Sequence, residues 1–308
     1  MPGKILVTPR SVTKGGHPSL DKLEKAGYEL VFCTPGIQPG EDELKKLLPG
    51  CIGYLAGVET ISCEVLKHAG KLKVVSRNGT GINNIDMATA KELGIVVRRA
   101  EGANARGVAE LAMGLILASV RSIPFSDAAI KKCGWERRNG IELENRTLGI
   151  VGFGKIGRIV ANFAAAFGMK IFFYDPFPPR DFKEKENLRS STLEEIFRNS
   201  DVITLHCPAG EKPLLGKDEI AKMRKGVYIV NTARAELVDD KAIIAAVESG
   251  HVSGFATDVF APEPPKDFTL AQNNAVIATP HIGGLTKESV DRAMNDAVDN
   301  LLDTLRDL

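Results

Sequence analysis

Residues 148–157 read Leu148-Gly149-Ile150-Val151-Gly152-Phe153-Gly154-Lys155-Ile156-Gly157, an apolar run that enters a G-x-G-x-x-G turn. The run predicts a strand from Leu148 to Gly152, and the turn predicts a helix start. Gly152 permits a tight turn, and Gly154 lets the backbone approach a phosphate with no Cβ in the way. Gly157 lets the following helix pack close to the sheet. The first N–H groups of a helix lack carbonyl partners and lie at the positive end of its dipole. Lys155, Ile156 and Gly157 are therefore expected to face a dinucleotide pyrophosphate. The motif alone is weak, and its surroundings give it weight. A helical stretch to Gly168 and a strand from Met169 to Tyr174 lead to Asp175, 23 residues beyond Gly152 (175 − 152). A carboxylate there accepts both ribose hydroxyls of NAD and repels the 2′-phosphate of NADP, so NAD is the expected cofactor.

Outward from this unit, short β-branched runs alternate with helical segments, the pattern of parallel βαβ units. One series has strands near Lys4–Pro9, Tyr28–Cys33, Ile52–Ala56, Leu72–Ser76 and Ile95–Arg98, with helices starting near His17, Gly40, Ser62 and Asp86. A long apolar-periodic segment from Ala105 to about Cys133 interrupts it as a connecting helix or helix pair. The second series has six strands, near Leu148–Gly152, Lys170–Tyr174, Val202–His206, Val227–Asn231, Gly254–Asp258 and Val276–Ala278. Six suit a complete dinucleotide fold. Ser191 with Glu194 reads as a capping box, and Asp239-Asp240 opens a helix that ends at Gly250. A final amphipathic helix from Thr286 returns to the first series. The expected architecture is α/β, with two doubly wound parallel-sheet domains. A discontinuous domain takes in 1–100 and 286–308, and a dinucleotide domain takes in 101–285.

With 40 Lys plus Arg against 39 Asp plus Glu, the formal charge is +1, and no global field selects for nucleic acid or an anionic membrane. A small-molecule partner is expected instead. Five cysteines with no C-x-x-C pair indicate neither a disulfide framework nor a metal knuckle. The longest apolar run, Leu111–Val120, is about half the ~20 residues of a membrane span, and the N-terminus has no signal-peptide pattern. A cytoplasmic location follows as an expectation. The Ala105–Cys133 segment is the expected homodimer interface, and core packing would account for the same stripe.

Hydride chemistry at a carbon bearing oxygen needs a proton carrier, a group that tunes it and a cation for the substrate. Arg234, Glu263 and His281 are candidates. Each follows the carboxyl end of an expected strand, the edge at which open α/β sheets bind ligands.

The blocks His206-Cys207-Pro208, Asn231-Thr232-Ala233-Arg234, Asp258-Val259-Phe260 with Glu263-Pro264, and Thr279-Pro280-His281-Ile282-Gly283-Gly284 complete the pattern. With Gly152, Gly154, Gly157 and Asp175, they make the chain resemble the D-isomer-specific 2-hydroxyacid dehydrogenases over essentially its full length. The resemblance implies a Rossmann NAD domain, a flavodoxin-like substrate domain and a site in the cleft between them. It implies hydride transfer between nicotinamide C4 and substrate C2, with His281 exchanging the proton and Glu263 favouring the imidazolium and fixing its tautomer. Arg234 would bind the carboxylate and polarise the carbonyl. Asp258 would hold the nicotinamide carboxamide, with Thr232, Ala233 and Gly283 beside the cofactor and His206, Cys207 and Pro208 near the adenine. Arg77-Asn78-Gly79-Thr80-Gly81 looks like the family's carboxylate loop, which implies that the amides of Asn78 and Gly79 hold the substrate carboxylate with Arg77 nearby. Formate dehydrogenases share the fold and generally lack the acidic partner, so Glu263 speaks against formate.

Thr8-Pro9-Arg10, Gly57-Val58-Glu59 and Gly102-Ala103-Asn104-Ala105 resemble phosphoglycerate dehydrogenase-like members. Two departures stand against that label. Tyr54-Leu55-Ala56-Gly57 offers no cation where those enzymes place a phosphate-binding arginine, and no C-terminal regulatory domain is expected after Leu308. A hydroxypyruvate or glyoxylate reductase is the alternative reading. A second class, NAD-sensing corepressors of the same fold, keeps the same three residues, and turnover separates it from an enzyme.

Overall fold

A computed structural model describes residues 3–179 and 182–307. The chain forms two compact units, one of Met1–Asn104 with Lys287–Leu308 and one of Ala105–Thr286. The first runs four residues past the expected boundary at 100, because the turn after the fifth strand stays with its own sheet.

The first unit carries strands β1 (Lys4–Val7), β2 (Glu29–Phe32), β3 (Cys51–Ala56), β4 (Val74–Arg77) and β5 (Val96–Arg99). All pair in parallel in the order β2-β1-β3-β4-β5. That is the flavodoxin-like order. Five short helices alternate with them: α1 (Arg10–Gly15), α2 (Leu20–Lys25), α3 (Glu41–Leu47), α4 (Cys63–His68) and α5 (Met87–Glu92). Helix α1 is an addition to the expected set; it follows Pro9 and buries Val12. Successive strand residues point to opposite faces. Leu6 accordingly packs with Leu44, Tyr54, Val65 and Val75, whereas Ile5 and Val7 pack with Leu23, Leu55 and the C-terminal helix Lys287–Arg306. That helix lays Met294, Ala297, Val298, Leu301 and Leu302 on the sheet. Because it covers a face of this sheet, it makes the unit discontinuous.

The second unit opens with α6 (Ala105–Val120) and α7 (Ile123–Lys131), which bend by 65° at their junction. No single helix among the described residues is long and apolar enough to cross a membrane. Strands β6 (Thr147–Val151), β7 (Lys170–Tyr174), β8 (Leu188–Ser190), β9 (Val202–Leu205), β10 (Val227–Asn231), β11 (Val252–Thr257) and β12 (Val276–Ala278) form one parallel sheet, ordered β12-β11-β10-β9-β6-β7-β8. This is the dinucleotide-fold order with one further strand at the β12 edge. The sheet has seven strands against the six that the sequence predicts. The extra one, β8, is three residues long with Arg189 and Ser190 exposed, so it lacks the apolar run that marks a strand.

Helix α8 (Lys155–Ala166) and α6 cover one face through Val160, Ala161, Ala164, Ala109, Ala112 and Ile116. Helices α9 (Leu193–Asn199), α10 (Lys217–Ala221) and α11 (Asp240–Glu248) cover the other. Burial on both faces explains why these strands read as continuous apolar runs. The capping box of α9 is Thr192 with Glu195, one residue later than Ser191 with Glu194. Thr192 Oγ1 accepts from Glu195 N at 3.1 Å, while Glu195 Oε2 accepts from Thr192 N and from the Ser191 hydroxyl. Two overlapping S/T-x-x-E patterns start here, and the helix begins at the one whose hydroxyl meets the third helical amide.

Candidate active site

Strand β6 delivers the chain into the glycine loop, and each glycine there answers to a different constraint. Gly152 has φ +96°, and a Cβ on it would lie 2.6 Å from the carbonyl carbon of His206. A Cβ on Gly157 would collide with the carbonyl oxygen of Gly152, so the α8 backbone crosses this turn at the closest approach possible. Gly154 is different, since nothing lies within 4 Å of where its Cβ would be. The open space in front of Gly154, at the head of a 12-residue helix with no acidic residue in its first turn, fits a dinucleotide pyrophosphate. Lys155 and Ile156 begin that helix, exposed and half-buried respectively.

Asp175 follows β7, as the spacing requires. Its carboxylate ties two turns together, because Oδ2 accepts from Phe153 N at 2.7 Å and Oδ1 from Phe177 N at 2.8 Å. The same carboxylate that would read the ribose thus holds the glycine loop to the end of β7. Phe153 contributes its stacked ring against Phe173, 3.8 Å between centroids.

After β9, His206 turns inward. Its Nε2 meets Thr204 Oγ1 at 3.0 Å, and its Nδ1 is buried without a partner. Burial pushes its pKa down to about 3, so the ring stays neutral. Burial pushes the Cys207 thiol up to about 11, which leaves it unreactive. Cys207 and Pro208 line an open recess of ~530 Å³ with the apolar Leu193, Phe197 and Leu214 and the charged Glu194, Lys212, Glu219 and Lys222, roomy enough for a planar base.

Past β10 the chain reaches Arg234. Asn231 organises the turn: its Oδ1 accepts from Ala233 N at 3.0 Å, and its Nδ2 donates to Arg234 O at 2.8 Å. Thr232 Oγ1 is buried with no partner. The half-buried Arg234 donates Nη1 to Ala233 O at 2.7 Å, so its guanidinium is anchored at one corner.

Glu263 and His281 are 18 residues apart in sequence and meet directly, Oε2 to Nδ1, at 2.6 Å. Glu263 Oε1 in turn accepts from Phe260 N at 3.0 Å. With the carboxylate accepting at Nδ1, Nε2 is the ring nitrogen left to exchange a proton. About half of the imidazole side chain is exposed, so the pair adds little to stability and mainly fixes the ring's orientation.

His281 has φ +54°, a left-handed conformation that a non-glycine residue holds only under constraint. Asp258, 1 % exposed, supplies the constraint. Its Oδ1 accepts from Thr279 Oγ1 at 2.6 Å and Ile282 N at 2.8 Å, and its Oδ2 from Gly283 N at 2.7 Å. Three of the carboxylate's roughly four acceptor positions therefore clamp the turn that carries His281. No sequence signal marks Thr279 and Asp258 as partners, because the contact joins side chains at the ends of different strands.

In the first unit one expectation is overturned. Asn78 N donates to Ala56 O at 2.8 Å, continuing the β3–β4 ladder, and Gly79 N donates to Arg77 O at 2.9 Å. Neither amide is available for a substrate carboxylate. The amides of Thr80 and Gly81, next along the loop, have no acceptor among the described residues. Arg77 folds back over this loop, Nη1 donating to Asn78 O at 2.7 Å, with its guanidinium where a Cβ of Gly79 would be. Among the described residues, no group of three His, Cys, Asp or Glu side chains is placed to hold a metal.

The family described as "D-isomer specific 2-hydroxyacid dehydrogenase, NAD binding domain" matches residues 113–283. A D-3-phosphoglycerate dehydrogenase of Methanocaldococcus jannaschii is 39 % identical over 271 residues, which are 86 % of this chain and 52 % of that protein. This chain thus spans about half the length of its phosphoglycerate dehydrogenase relatives. A hydroxypyruvate reductase of Thermotoga maritima is 40 % identical over 298 residues, covering 92 % of this chain and 96 % of that protein. Among solved structures, the TT0316 protein of Thermus thermophilus superposes with a TM-score of 0.87 at 32 % identity, covering 99 % of this chain and 97 % of that one. Glycine cradle, strand order and the paired glutamate and histidine agree with these likenesses, and the chain belongs to the D-isomer-specific 2-hydroxyacid dehydrogenase family, whose NAD-binding domain is its second unit.

Proposed function

We propose that this chain is an NAD-dependent oxidoreductase that interconverts a short 2-hydroxy acid and its 2-oxo acid. The observation that carries the reading is the 2.6 Å contact between Glu263 and His281 Nδ1, which leaves Nε2 to exchange the hydroxyl proton. Gly152, Gly154, the first amides of α8 and Asp175 would hold NAD, which when bound would accept a hydride from substrate C2 or, as NADH, return it there. In oxidation His281 accepts the proton from the 2-hydroxyl group, and in reduction the imidazolium returns it to the 2-oxo oxygen. Arg234 offers a planar fork to the carboxylate and polarises the carbonyl. On the first unit, the amides of Thr80 and Gly81, which have no acceptor among the described residues, are two neutral donors suited to a carboxylate. Asp175 favours NAD over NADP through its negative charge at the ribose.

The full-length likeness to a hydroxypyruvate reductase supports a short polar 2-oxo acid as substrate. NADH oxidation measured against hydroxypyruvate, glyoxylate, pyruvate, 3-phosphohydroxypyruvate and 3-sulfopyruvate tests the reading. Turnover with none of them would favour an NAD-binding regulatory protein instead.

A homodimer on the Ala105–Cys133 segment and a cytoplasmic location complete the proposal. Exposed Ile123 and Ile130 (52 and 55 %), seven residues apart and so on one face of α7, support the interface. Sedimentation equilibrium at micromolar concentration should give twice the 33.2 kDa chain mass, and a single monomeric species refutes the dimer. Five unpaired cysteines fit a reducing compartment.

A further inference from the structure

The first unit buries one acidic side chain that the proposed chemistry does not use. Glu59 is 1 % exposed and has no ion-pair partner among the described residues. Its Oε1 accepts from three neutral donors at the carboxyl ends of β1 and β3: the Thr8 hydroxyl, Tyr54 OH at 2.8 Å and Gly57 N at 2.9 Å. Every partner donates, which suits an acceptor-only carboxylate. The same residue anchors the anion-binding loop from behind, because its backbone carbonyl takes Asn84 Nδ2 at 2.6 Å and Ile61 N donates to Asn84 O at 2.7 Å.

Arg77 is the only cation on that loop between Val74 and Asp86. It starts from the β4 position paired with Ala56, next to the Gly57 amide that Glu59 binds. Its Nε is buried with no partner, so the guanidinium is only partly satisfied by hydrogen bonds. Burial lowers the Arg77 pKa, and the negative charge of Glu59 works against that lowering. A buried carboxylate behind a cation reduces the positive potential that the cation presents to an incoming anion, and low-dielectric surroundings make that reduction larger than it would be in water.

We propose that Glu59 sets the charge selectivity of the loop, tuning Arg77 so that a 2-oxo acid with an uncharged tail is accepted and one with an anionic tail is disfavoured. The proposal rests on the oxidoreductase reading above and adds a specificity-determining residue to it. A carboxylate is common to all such substrates, so it cancels when two are compared. The change that a variant makes in the ratio of kcat/KM for 3-phosphohydroxypyruvate over hydroxypyruvate therefore reports its effect on the phosphorylated tail.

Glu59→Gln keeps an oxygen for the three donors and removes the charge. It should raise that ratio about tenfold, mainly through the KM of the phosphorylated substrate, with the KM for NADH unchanged. Loosened packing would lower both rates together and leave the ratio where it was, so an unchanged or lower ratio in a folded variant overturns the proposal. Should Glu59→Gln not fold, Arg77→Met carries the test: the ratio should fall at least tenfold, and an unmoved ratio overturns the assignment. If the wild-type chain reduces no acid of the panel above, the oxidoreductase reading fails by itself. Calorimetric titration with inorganic phosphate then decides the charge question without turnover. Glu59→Gln should bind it about tenfold more tightly than wild type, and equal affinity is the refuting result.

Discussion

Asp258→Asn tests the link between a buried carboxylate and the reactive imidazole. In the native turn Oδ1 receives Thr279 Oγ1 and Ile282 N, and Oδ2 receives Gly283 N. An amide oxygen can keep the first two, but its NH2 group then points at the Gly283 N–H at a native separation of 2.7 Å, donor against donor. A buried donor without a partner costs ~1–3 kcal/mol, and losing the charge weakens the two remaining bonds by about half. A total near ~3 kcal/mol follows. For a unit of this size that corresponds to a melting temperature lower by roughly 6–12 °C. The same loss releases the φ +54° turn at His281, whose left-handed conformation itself costs ~1–2 kcal/mol. We expect kcat to fall ~10- to 100-fold, within the limit that ~3 kcal/mol sets. Differential scanning fluorimetry and steady-state NADH oxidation read the two effects. Thr279→Val removes a single donor from the clamp, and it should lower kcat by a few-fold through the turn alone. If Asp258→Asn melts within 1 °C of wild type, or if Thr279→Val lowers the melting temperature with no effect on kcat, the clamp does not hold His281.

Three further outcomes follow from the same geometry. His206 titrates near 6.5 when unfolded and at about 3 when buried, so its contribution to stability is complete above pH 6.5 and is lost as pH falls toward 3. The slope over that window is at most ~1.4 kcal/mol per pH unit, and His206→Asn should flatten it; a wild-type stability independent of pH from 6.5 to 4 contradicts the buried neutral ring. Asp175→Ala should narrow the preference for NADH over NADPH and also raise the KM for both, because the Phe153 amide loses its acceptor; undiminished NADH preference would refute the ribose assignment. Glu263→Gln keeps an acceptor for His281 Nδ1, so the ring stays oriented and substantial activity remains, whereas Glu263→Ala removes that acceptor and should lower kcat by about a further tenfold. Equal kcat in the two variants would separate Glu263 from the orientation of the ring.

Much of the second unit can be read from residues 148–175 alone, since a glycine turn leaves few ways to build a strand, a helix and a second strand. Spacing also locates Arg234, Glu263 and His281 after the ends of β10, β11 and β12, although their residue types carry no such meaning in isolation. Pairing is what the sequence hides. Ala56 accepts the Asn78 amide because β3 and β4 are neighbours in the ladder, a fact of register that local sequence does not contain. That pairing takes the Asn78 amide and a local turn onto Arg77 O takes that of Gly79, which leaves the amides of Thr80 and Gly81 without acceptors among the described residues. Likewise, β8 has no apolar run to announce it, and the double hold of Asp175 on Phe153 and Phe177 depends on backbone positions rather than side-chain identity.

Oxidation or reduction of a 2-hydroxy or 2-oxo acid through His281 is tested most directly by the initial rate of NADH oxidation with hydroxypyruvate. The rate is compared between wild type and His281→Ala, alongside NADH affinity by fluorescence titration. Wild type should turn over, kcat in the variant should be lower by ~100- to 10,000-fold, and NADH affinity should stay within about twofold of wild type. Near-normal kcat in His281→Ala, or no NADH oxidation by wild type with any acid of the panel at saturating concentrations, would contradict a proton transfer through this imidazole.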